Sequence, residues 1–76
     1  MRNEIILPQL AFAMEEGKLI EWLAKEGQPV KPGDILYTLE TDKAVQEIEA
    51  DGEGRLRIIK AEGETYPVGT VLGIIE

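Results

Sequence analysis

The 76-residue sequence contains neither cysteine nor histidine. Without cysteine no disulfide can stabilise the fold, and without both residue types the usual zinc sites are excluded. The commonest general base and the strongest nucleophile are also missing, which argues against an enzyme that acts alone. No apolar run approaches the ~20 residues of a membrane-spanning helix. The length suits one domain over residues 1–76, and a domain this small leaves little room for a substrate cleft.

Positive charge is scarce as well. Eight Lys and Arg residues oppose fifteen Asp and Glu residues, which gives a net charge of −7. Nucleic acids and anionic membranes repel such a chain, so we expect neither as a partner. The first residues carry a single positive charge, and Pro8 interrupts the apolar stretch that follows, which is not typical of a signal peptide. We therefore expect a cytoplasmic protein, or a mitochondrial-matrix protein in a eukaryote.

Glycine and proline, in contrast, recur at short intervals and separate short apolar runs. This pattern is typical of many short strands joined by turns. The runs predict strands at residues 4–7, 35–40, 44–50, 55–58 and 70–75. The segments Pro32-Gly33-Asp34 and Val68-Gly69-Thr70 are predicted turns, because glycine permits a positive φ.

The segment 26–40 is repeated 36 residues later at 62–76. Both copies begin with Glu-Gly, continue through five residues to Gly, a polar residue, a β-branched residue and Leu, and end in Glu. The repeat indicates two copies of one unit, neither of which buries its apolar face alone. Two such halves predict an all-β fold. We expect a β-sandwich or flattened barrel of two four-stranded antiparallel sheets with pseudo-twofold symmetry.

Residues 18–25 are ambiguous when read alone, because three of their apolar residues have helical spacing. The repeat resolves the ambiguity. Gly17-Lys18-Leu19 matches Gly54-Arg55-Leu56, and the residues that follow Gly54 alternate as a strand does. We therefore predict a strand at 18–25. The predicted core positions are Trp22, Leu36 and Ile74.

The segment Glu40-Thr41-Asp42-Lys43-Ala44 joins two predicted strands and lies between the two copies of the repeat. Asp suits the early corners of a type I turn, so we predict a hairpin with Lys43 exposed at its tip. A lysine at such a position is ordinarily a solvated surface residue. The location of Lys43 at the centre of the repeat distinguishes it from an ordinary lysine.

The motif Thr41-Asp42-Lys43-Ala44 resembles the attachment site of the lipoyl domains of 2-oxo acid dehydrogenase acyltransferases, which belong to the biotinyl/lipoyl attachment domain family. The resemblance covers nearly the whole chain. It also includes Leu7-Pro8-Gln9-Leu10, the segments 14–19 and 26–34, Gly52 and Gly54. It implies that Lys43 forms an amide with lipoate, and that Asp42 and Ala44 are read by a lipoate ligase or a lipoyl/octanoyl transferase.

The resemblance also implies a function and partners. The domain would be a monomeric, non-catalytic carrier without a metal, whose Lys43 serves as a swinging arm. It would move acyl groups and electrons between a thiamine-diphosphate-dependent decarboxylase, an acyltransferase catalytic domain and a dihydrolipoyl dehydrogenase. The complex would act on a 2-oxo acid or on acetoin.

Partner selection is implied for the loop at residues 9–16. Its Phe12 and Glu15, together with Glu40, would contact the decarboxylase. Two alternatives stay open: apolar residues of this loop pack inward, or the acidic residues form only a solvated face. Many family members have Gly where this chain has Ala11, which leaves the conformation of the loop open.

Two other functions compete with the lipoyl carrier. The first is the biotin carrier domain of a biotin-dependent carboxylase, whose fold is similar. In that family the modified lysine typically lies between two methionines, whereas Lys43 lies between Asp42 and Ala44, and Met1 and Met14 are elsewhere. The second is a small β domain used only for binding or structure, against which the repeat centred on Lys43 argues.

Overall fold

The computed structural model describes residues 3–42 and 44–76 of the chain. These residues form eight strands: β1 (Asn3–Ile6), β2 (Glu16–Trp22), β3 (Pro29–Val30), β4 (Ile35–Glu40), β5 (Val45–Glu49), β6 (Gly54–Ile58), β7 (Glu64–Pro67) and β8 (Val71–Ile75). One antiparallel sheet has the order β1-β8-β6-β3 and the other the order β5-β4-β2-β7. The all-β prediction is confirmed in its sandwich form, because the two sheets do not close into a barrel. Within the described part of the chain, no helix is long and apolar enough to cross a membrane.

One predicted strand is displaced. The strand predicted at 18–25 is β2, which lies at Glu16–Trp22. It ends early because the N–H groups of Leu23 and Ala24 both donate to the carbonyl oxygen of Leu36, at 2.8 and 3.1 Å, which takes the chain out of the regular ladder. The other predicted strands agree with the structure to within one residue at each end.

Two strands are missing from the sequence-based prediction, β3 and β7. Each is short and contains a proline, Pro29 or Pro67, which is a turn signal in a sequence. Both strands lie at the edge of a sheet. An edge strand accommodates proline because the missing N–H is not needed for a second ladder.

The pseudo-twofold symmetry is visible in the backbone. Gly27 and Gly63, which are equivalent in the repeat, have φ angles of 81° and 87°. Gly33 and Gly69 have φ angles of 96° and 93°. These left-handed conformations are costly for residues with a Cβ atom, which explains why the repeat keeps glycine at both places.

The glutamates that begin the two repeat copies have equivalent structural roles. The Trp22 N–H donates to the Glu62 carboxylate at 2.8 Å. The Ile58 N–H donates to the Glu26 carboxylate at 2.6 Å. Each half thus supplies a carboxylate that satisfies a backbone N–H at the end of a strand in the other half, and these charge-assisted bonds join the two halves.

The core lies between the two sheets. Its large, fully buried side chains are Leu7, Leu19, Leu36, Tyr37, Leu39, Leu56, Leu72 and Ile75. The prediction for Leu36 is confirmed, since only 1% of its surface is exposed. The prediction for Ile74 is wrong, because its side chain is only half-buried. The prediction for Trp22 is confirmed in part, because this side chain is also half-buried but packs against the core.

The register of β8 explains the exposure of Ile74. Its Cα partners are Glu4 in β1 and Arg57 in β6, and both partners are exposed. Residues paired across a sheet point to the same face, so Ile74 lies on the outer face and Ile75 on the inner one.

Trp22 packs at the margin of the core. Its indole N–H donates to the carbonyl oxygen of Lys60 at 3.0 Å. A tryptophan with its polar atom at the surface and its ring against the core is a common arrangement, because the N–H requires an acceptor.

Candidate functional site

The hairpin formed by β4 and β5 is closed by a tight turn. The last regular pair is Glu40 with Val45. Beyond it, the Thr41 N–H donates to the Ala44 carbonyl oxygen at 2.8 Å, and the Thr41 hydroxyl donates to the same oxygen at 3.2 Å. Only two residues, Asp42 and Lys43, lie between Thr41 and Ala44 in the chain, which is the shortest common hairpin connection.

Lys43 itself lies outside the residues that the structure describes. Its neighbours in the chain, Asp42 and Ala44, are both exposed. Val45 follows with 58% of its surface exposed, although it is apolar. Asp42 has a negative φ, as all described non-glycine residues do, which agrees with the type I corner predicted for it. The chain is therefore accessible from solvent on both sides of Lys43.

The loop between β1 and β2 has its own hydrogen bonds. The Gln9 side-chain amide donates to the carbonyl oxygens of Phe12 and Met14, at 3.1 and 3.3 Å. The Met14 N–H donates to the Ala11 carbonyl oxygen at 3.1 Å. The loop is thus a compact turn, even though Ala11 stands where a glycine is common in the family.

The alternative in which the apolar residues of this loop pack inward holds for one of them. Met14 is half-buried and packs against the core, whereas Phe12 is 100% exposed and Leu10 is 40% exposed. Gly17 makes the room for Met14, because a Cβ atom on Gly17 would lie 3.0 Å from the Met14 Cε atom and 2.8 Å from Leu39 Cδ1.

A cleft of about 350 Å³ separates the loop from the turn. It is lined by Ala11, Ala13, Met14, Glu15, Glu16, Thr41 and Asp42. The structure therefore brings the predicted residues Glu15 and Asp42 to one cleft. Sequence reasoning missed Ala13, and it named Thr41 only as part of the motif around Asp42 and not as a residue that lines a cleft.

The other predicted contact residues lie outside this cleft. Glu40 lines a second, smaller cleft of about 160 Å³, together with Lys18, Thr65 and the turn residues Thr41 and Asp42. Phe12 lies at the outer side of the loop, beside Gln9, Leu10 and Ala11. Phe12 and Glu40 are therefore not brought together, but each lies next to one of the two elements that border the larger cleft.

Carboxylates dominate the charge around the turn. Glu15, Glu16 and Asp42 line the larger cleft, and Glu40 pairs in register with Lys18 of β2. The local potential is therefore negative, which favours a partner with a basic surface. Among the described residues, no group of three or more Asp and Glu side chains is arranged to hold a metal ion.

Comparisons with known proteins agree with this geometry. A family model named Biotin_lipoyl and described as "Biotin-requiring enzyme" matches residues 3–75. Over 77 residues the chain is 39% identical to the dihydrolipoyllysine-residue acetyltransferase component of the pyruvate dehydrogenase complex of Rickettsia conorii, with 99% of this chain and 19% of that protein covered. Component 3 of the mitochondrial complex of Arabidopsis thaliana is 48% identical over 74 residues, with 95% of this chain and 14% of that protein covered.

The chain thus spans less than a fifth of the length of these relatives. Among solved structures, the lipoyl domain of the 2-oxoglutarate dehydrogenase complex of Azotobacter vinelandii has the same fold, with a TM-score of 0.78 and 32% identity. The match covers 96% of this chain and 94% of that domain. The chain belongs to the biotinyl/lipoyl attachment domain family, and its similarity within that family is to the lipoyl domains of 2-oxo acid dehydrogenase complexes.

Proposed function

We propose that residues 1–76 form a non-catalytic carrier domain whose Lys43 is lipoylated. The observation that carries the proposal is the turn itself: Thr41 and Ala44 close it by hydrogen bonds, and the residues on either side of Lys43 are exposed. The relatives that are named for a dihydrolipoyllysine residue support lipoate over biotin. Lipoate attached there supplies a dithiolane that opens and closes by thiol–disulfide exchange.

The residues around the turn would serve the modifying enzyme, a lipoate ligase or a lipoyl/octanoyl transferase. Asp42 offers this enzyme an exposed carboxylate, and the small side chain of Ala44 leaves space beside the lysine. The paired strands β4 and β5 hold the chain in place on both sides of Lys43, so the enzyme meets a surface that is formed there before binding.

The domain would act as a swinging arm in a 2-oxo acid or acetoin dehydrogenase complex. It would move acyl groups and electrons between the thiamine-diphosphate-dependent decarboxylase, the acyltransferase catalytic domain and the dihydrolipoyl dehydrogenase. The reaction chemistry then belongs to the cofactor and these enzymes, and the domain contributes tethering and a high local concentration. The named complexes of the relatives support this assignment. We place the protein in the cytoplasm of a bacterium or in the mitochondrial matrix of a eukaryote.

The decarboxylase would recognise one residue of the β1–β2 loop, Phe12, and two residues next to the turn, Glu15 and Glu40. Phe12 is an aromatic side chain that is fully exposed, which is typical of an interface anchor. Glu15 and Glu40 line two different clefts, both of which also include Thr41 and Asp42 of the turn. Their charges would orient a basic partner surface around Lys43 and increase the rate of encounter.

The proposal is tested by intact-mass measurement and peptide mapping after incubation with lipoate ligase, ATP and lipoate, beside a parallel reaction with a biotin ligase. We expect one lipoyl adduct on Lys43 and no biotin adduct. Lys43→Ala should remove the adduct, whereas Lys31→Ala, a change at an exposed lysine next to another turn, should leave it. A biotin adduct, or folded protein without any adduct on Lys43, would contradict the proposal.

A further inference from the structure

Met14 holds the β1–β2 loop closed through three of its groups. Its N–H donates to the Ala11 carbonyl oxygen at 3.1 Å, and its carbonyl oxygen accepts a hydrogen bond from the Gln9 side-chain amide at 3.3 Å. Its thioether sulfur accepts a hydrogen bond from the Leu10 N–H, also at 3.3 Å. One of the three bonds therefore depends on the chemical state of the sulfur.

The methyl end of Met14 fits closely against the strands. A Cβ atom on Gly17 would lie 3.0 Å from the Met14 Cε atom, which is closer than ordinary van der Waals contact. The Met14 side chain also packs against the hydrophobic core. Such close packing leaves little room on this side for an additional polar atom on the sulfur.

The same side chain is accessible to a small reagent. Met14 is half-buried and lines the larger cleft, whose volume is about 350 Å³. A water molecule takes only ~30 Å³ of the liquid, so the cleft admits a molecule as small as hydrogen peroxide. The carboxylates of Glu15, Glu16 and Asp42 also line the cleft. Their negative potential disfavours anionic oxidants and leaves a neutral peroxide as the reagent that reaches the sulfur.

From these observations we propose that Met14 is an oxidation site, and that its conversion to methionine sulfoxide by hydrogen peroxide opens the β1–β2 loop. In this step the sulfur attacks one oxygen of the peroxide, the O–O bond breaks and an S–O bond forms. The second oxygen leaves as water, so the sulfur loses two electrons and the peroxide gains them. Methionine sulfoxide reductases restore the thioether, which makes the change reversible.

Either position of the new oxygen weakens the bond to Leu10. On the lone pair that faces the Leu10 N–H, the oxygen would lie between two atoms that are already at hydrogen-bond distance, so the loop has to move away. On the other lone pair, the oxygen withdraws electrons from the sulfur, which is then a poorer acceptor. In both cases a side chain that packs against the core becomes polar.

The oxidation site itself goes beyond the proposed function, but its effect on a partner rests on that function. Phe12, the proposed contact with the decarboxylase, lies two residues before Met14 in the same loop. The closed loop presents Phe12 in one fully exposed position. An open loop presents this side chain less precisely, so the oxidised domain is a poorer substrate for the decarboxylase.

The test treats the non-lipoylated domain with hydrogen peroxide and maps its peptides by mass spectrometry. We expect one added oxygen atom on Met14. We also expect hydrogen exchange at the Leu10 amide to become ~2- to 10-fold faster, as for the loss of one hydrogen bond. The Ile59 amide, which donates to the Leu72 carbonyl oxygen, is the internal reference and should not change. Treatment with methionine sulfoxide reductases should restore the slower exchange at Leu10.

Met14→Leu is the matched variant, because leucine keeps the volume and the apolar packing but has no sulfur to oxidise. Peroxide should leave exchange at Leu10 unchanged in this variant, although Met1 is still present. The same acceleration in the variant and in the original protein would assign the effect to another residue and overturn the proposal. Oxidation that spares Met14 in the folded domain, or oxidation of Met14 without faster exchange at Leu10, would overturn it as well.

A second measurement separates this inference from the proposed function. The peroxide is removed, the domain is lipoylated, and reductive acylation by the cognate decarboxylase is measured. We expect kcat/KM to fall by ~3- to 10-fold after oxidation, and Met14→Leu to show no such fall. An unchanged kcat/KM for the oxidised domain overturns the effect on the decarboxylase. A domain that cannot be lipoylated with or without peroxide overturns the proposed function, whereas oxidation at Met14 and exchange at Leu10 are still measured in it.

Discussion

Tyr37 and Gly73 occupy equivalent positions in β4 and β8, yet Tyr37 is a fully buried ring and Gly73 has no side chain. The indole of Trp22 lies next to both of these positions. It packs edge-on against Tyr37, with ring centroids 5.3 Å apart at 61°, and its Cη2 atom lies 3.4 Å from the place where a Gly73 Cβ would stand. The two halves therefore share a backbone pattern but pack different side chains around it.

Gly73→Ala should destabilise the fold. The added Cβ atom would lie 2.7 Å from the backbone oxygen of Arg57, which cannot move without breaking the sheet. We expect the free energy of unfolding to fall by ~1–3 kcal/mol in urea denaturation, as for other overpacked cores. Gly52→Ala is the control, because its Cβ would meet only the flexible Asn3 side chain, and it should cost less than ~0.5 kcal/mol. Equal losses in both variants would contradict the packing explanation.

Tyr37→Phe should preserve or increase stability. The buried Tyr37 hydroxyl has no hydrogen-bond partner among the described residues. An unsatisfied buried polar group costs ~1–3 kcal/mol, and its removal leaves the ring packing intact. We expect a gain of up to ~1 kcal/mol in the free energy of unfolding. A loss of this size would mean that the hydroxyl is satisfied in solution, for example by a buried water molecule.

The same side chain should make stability sensitive to high pH. Burial raises the pKa of Tyr37 to about 12, from the ordinary value of 10. Between these two pH values the folded protein keeps this proton, whereas the unfolded chain releases it. The free energy of unfolding therefore has its full value below pH ~10 and decreases as the pH rises towards ~12. The decrease should reach ~2–3 kcal/mol.

Urea denaturation at pH ~9 and ~11.5 measures this decrease, and Tyr37→Phe should lack it. Desolvation and the charge of Glu64 also raise the pKa of Tyr66, but this residue is present in both proteins, so its effect cancels in the comparison. An identical pH dependence in the two proteins would contradict the assignment to Tyr37.

Glu21→Arg should add to the first half of the chain an ion pair equivalent to the one that Arg57 forms in the second half. Arg57 binds Glu26 at 2.8 Å and Glu76 at 2.9 Å. The equivalent residue in the first half is Glu21, next to the strand end where Glu62 accepts its hydrogen bond. We expect a gain of ~0.2–1 kcal/mol that decreases in high salt, because the site is exposed. Glu21→Gln is the control, because it removes the negative charge without adding an ion-pair partner. Its gain in the free energy of unfolding should be smaller than that of Glu21→Arg. A gain that is equal for both variants would point to relief of repulsion alone.

Phe12→Ala should weaken the reaction with the decarboxylase and leave lipoylation and stability unchanged. An exposed aromatic residue contributes little to the fold but often dominates an interface. We expect kcat/KM for reductive acylation by the cognate decarboxylase to fall by ~10-fold or more. Ile59→Ala is the control, an exposed apolar residue that lines neither cleft. A fall of the same size for Ile59→Ala would indicate a non-specific loss of apolar surface.

The repeat and the turn residues could be predicted from the sequence because they depend on local chemistry. A turn position that requires a positive φ, as at Gly33 and Gly69, favours glycine regardless of the residues that are distant in the chain. Short apolar runs between glycine and proline residues identified most strands for the same reason. The motif around Asp42 that resembles a lipoyl attachment site stands out in the sequence because these signals surround it on both sides.

Burial and the clefts depend on residues that are distant in the chain. Ile74 and Ile75 are the same residue type, and only the pairing of β8 with β1 and β6 decides which of them is buried. Ala13 and Thr41 meet across a cleft although 28 residues separate them. The sequence by itself therefore determined the two-copy β architecture and the position of the turn that we propose as the attachment site. Only the tertiary structure decided which faces are buried and what lies beside that turn, because register and strand pairing bring together side chains that no local pattern connects.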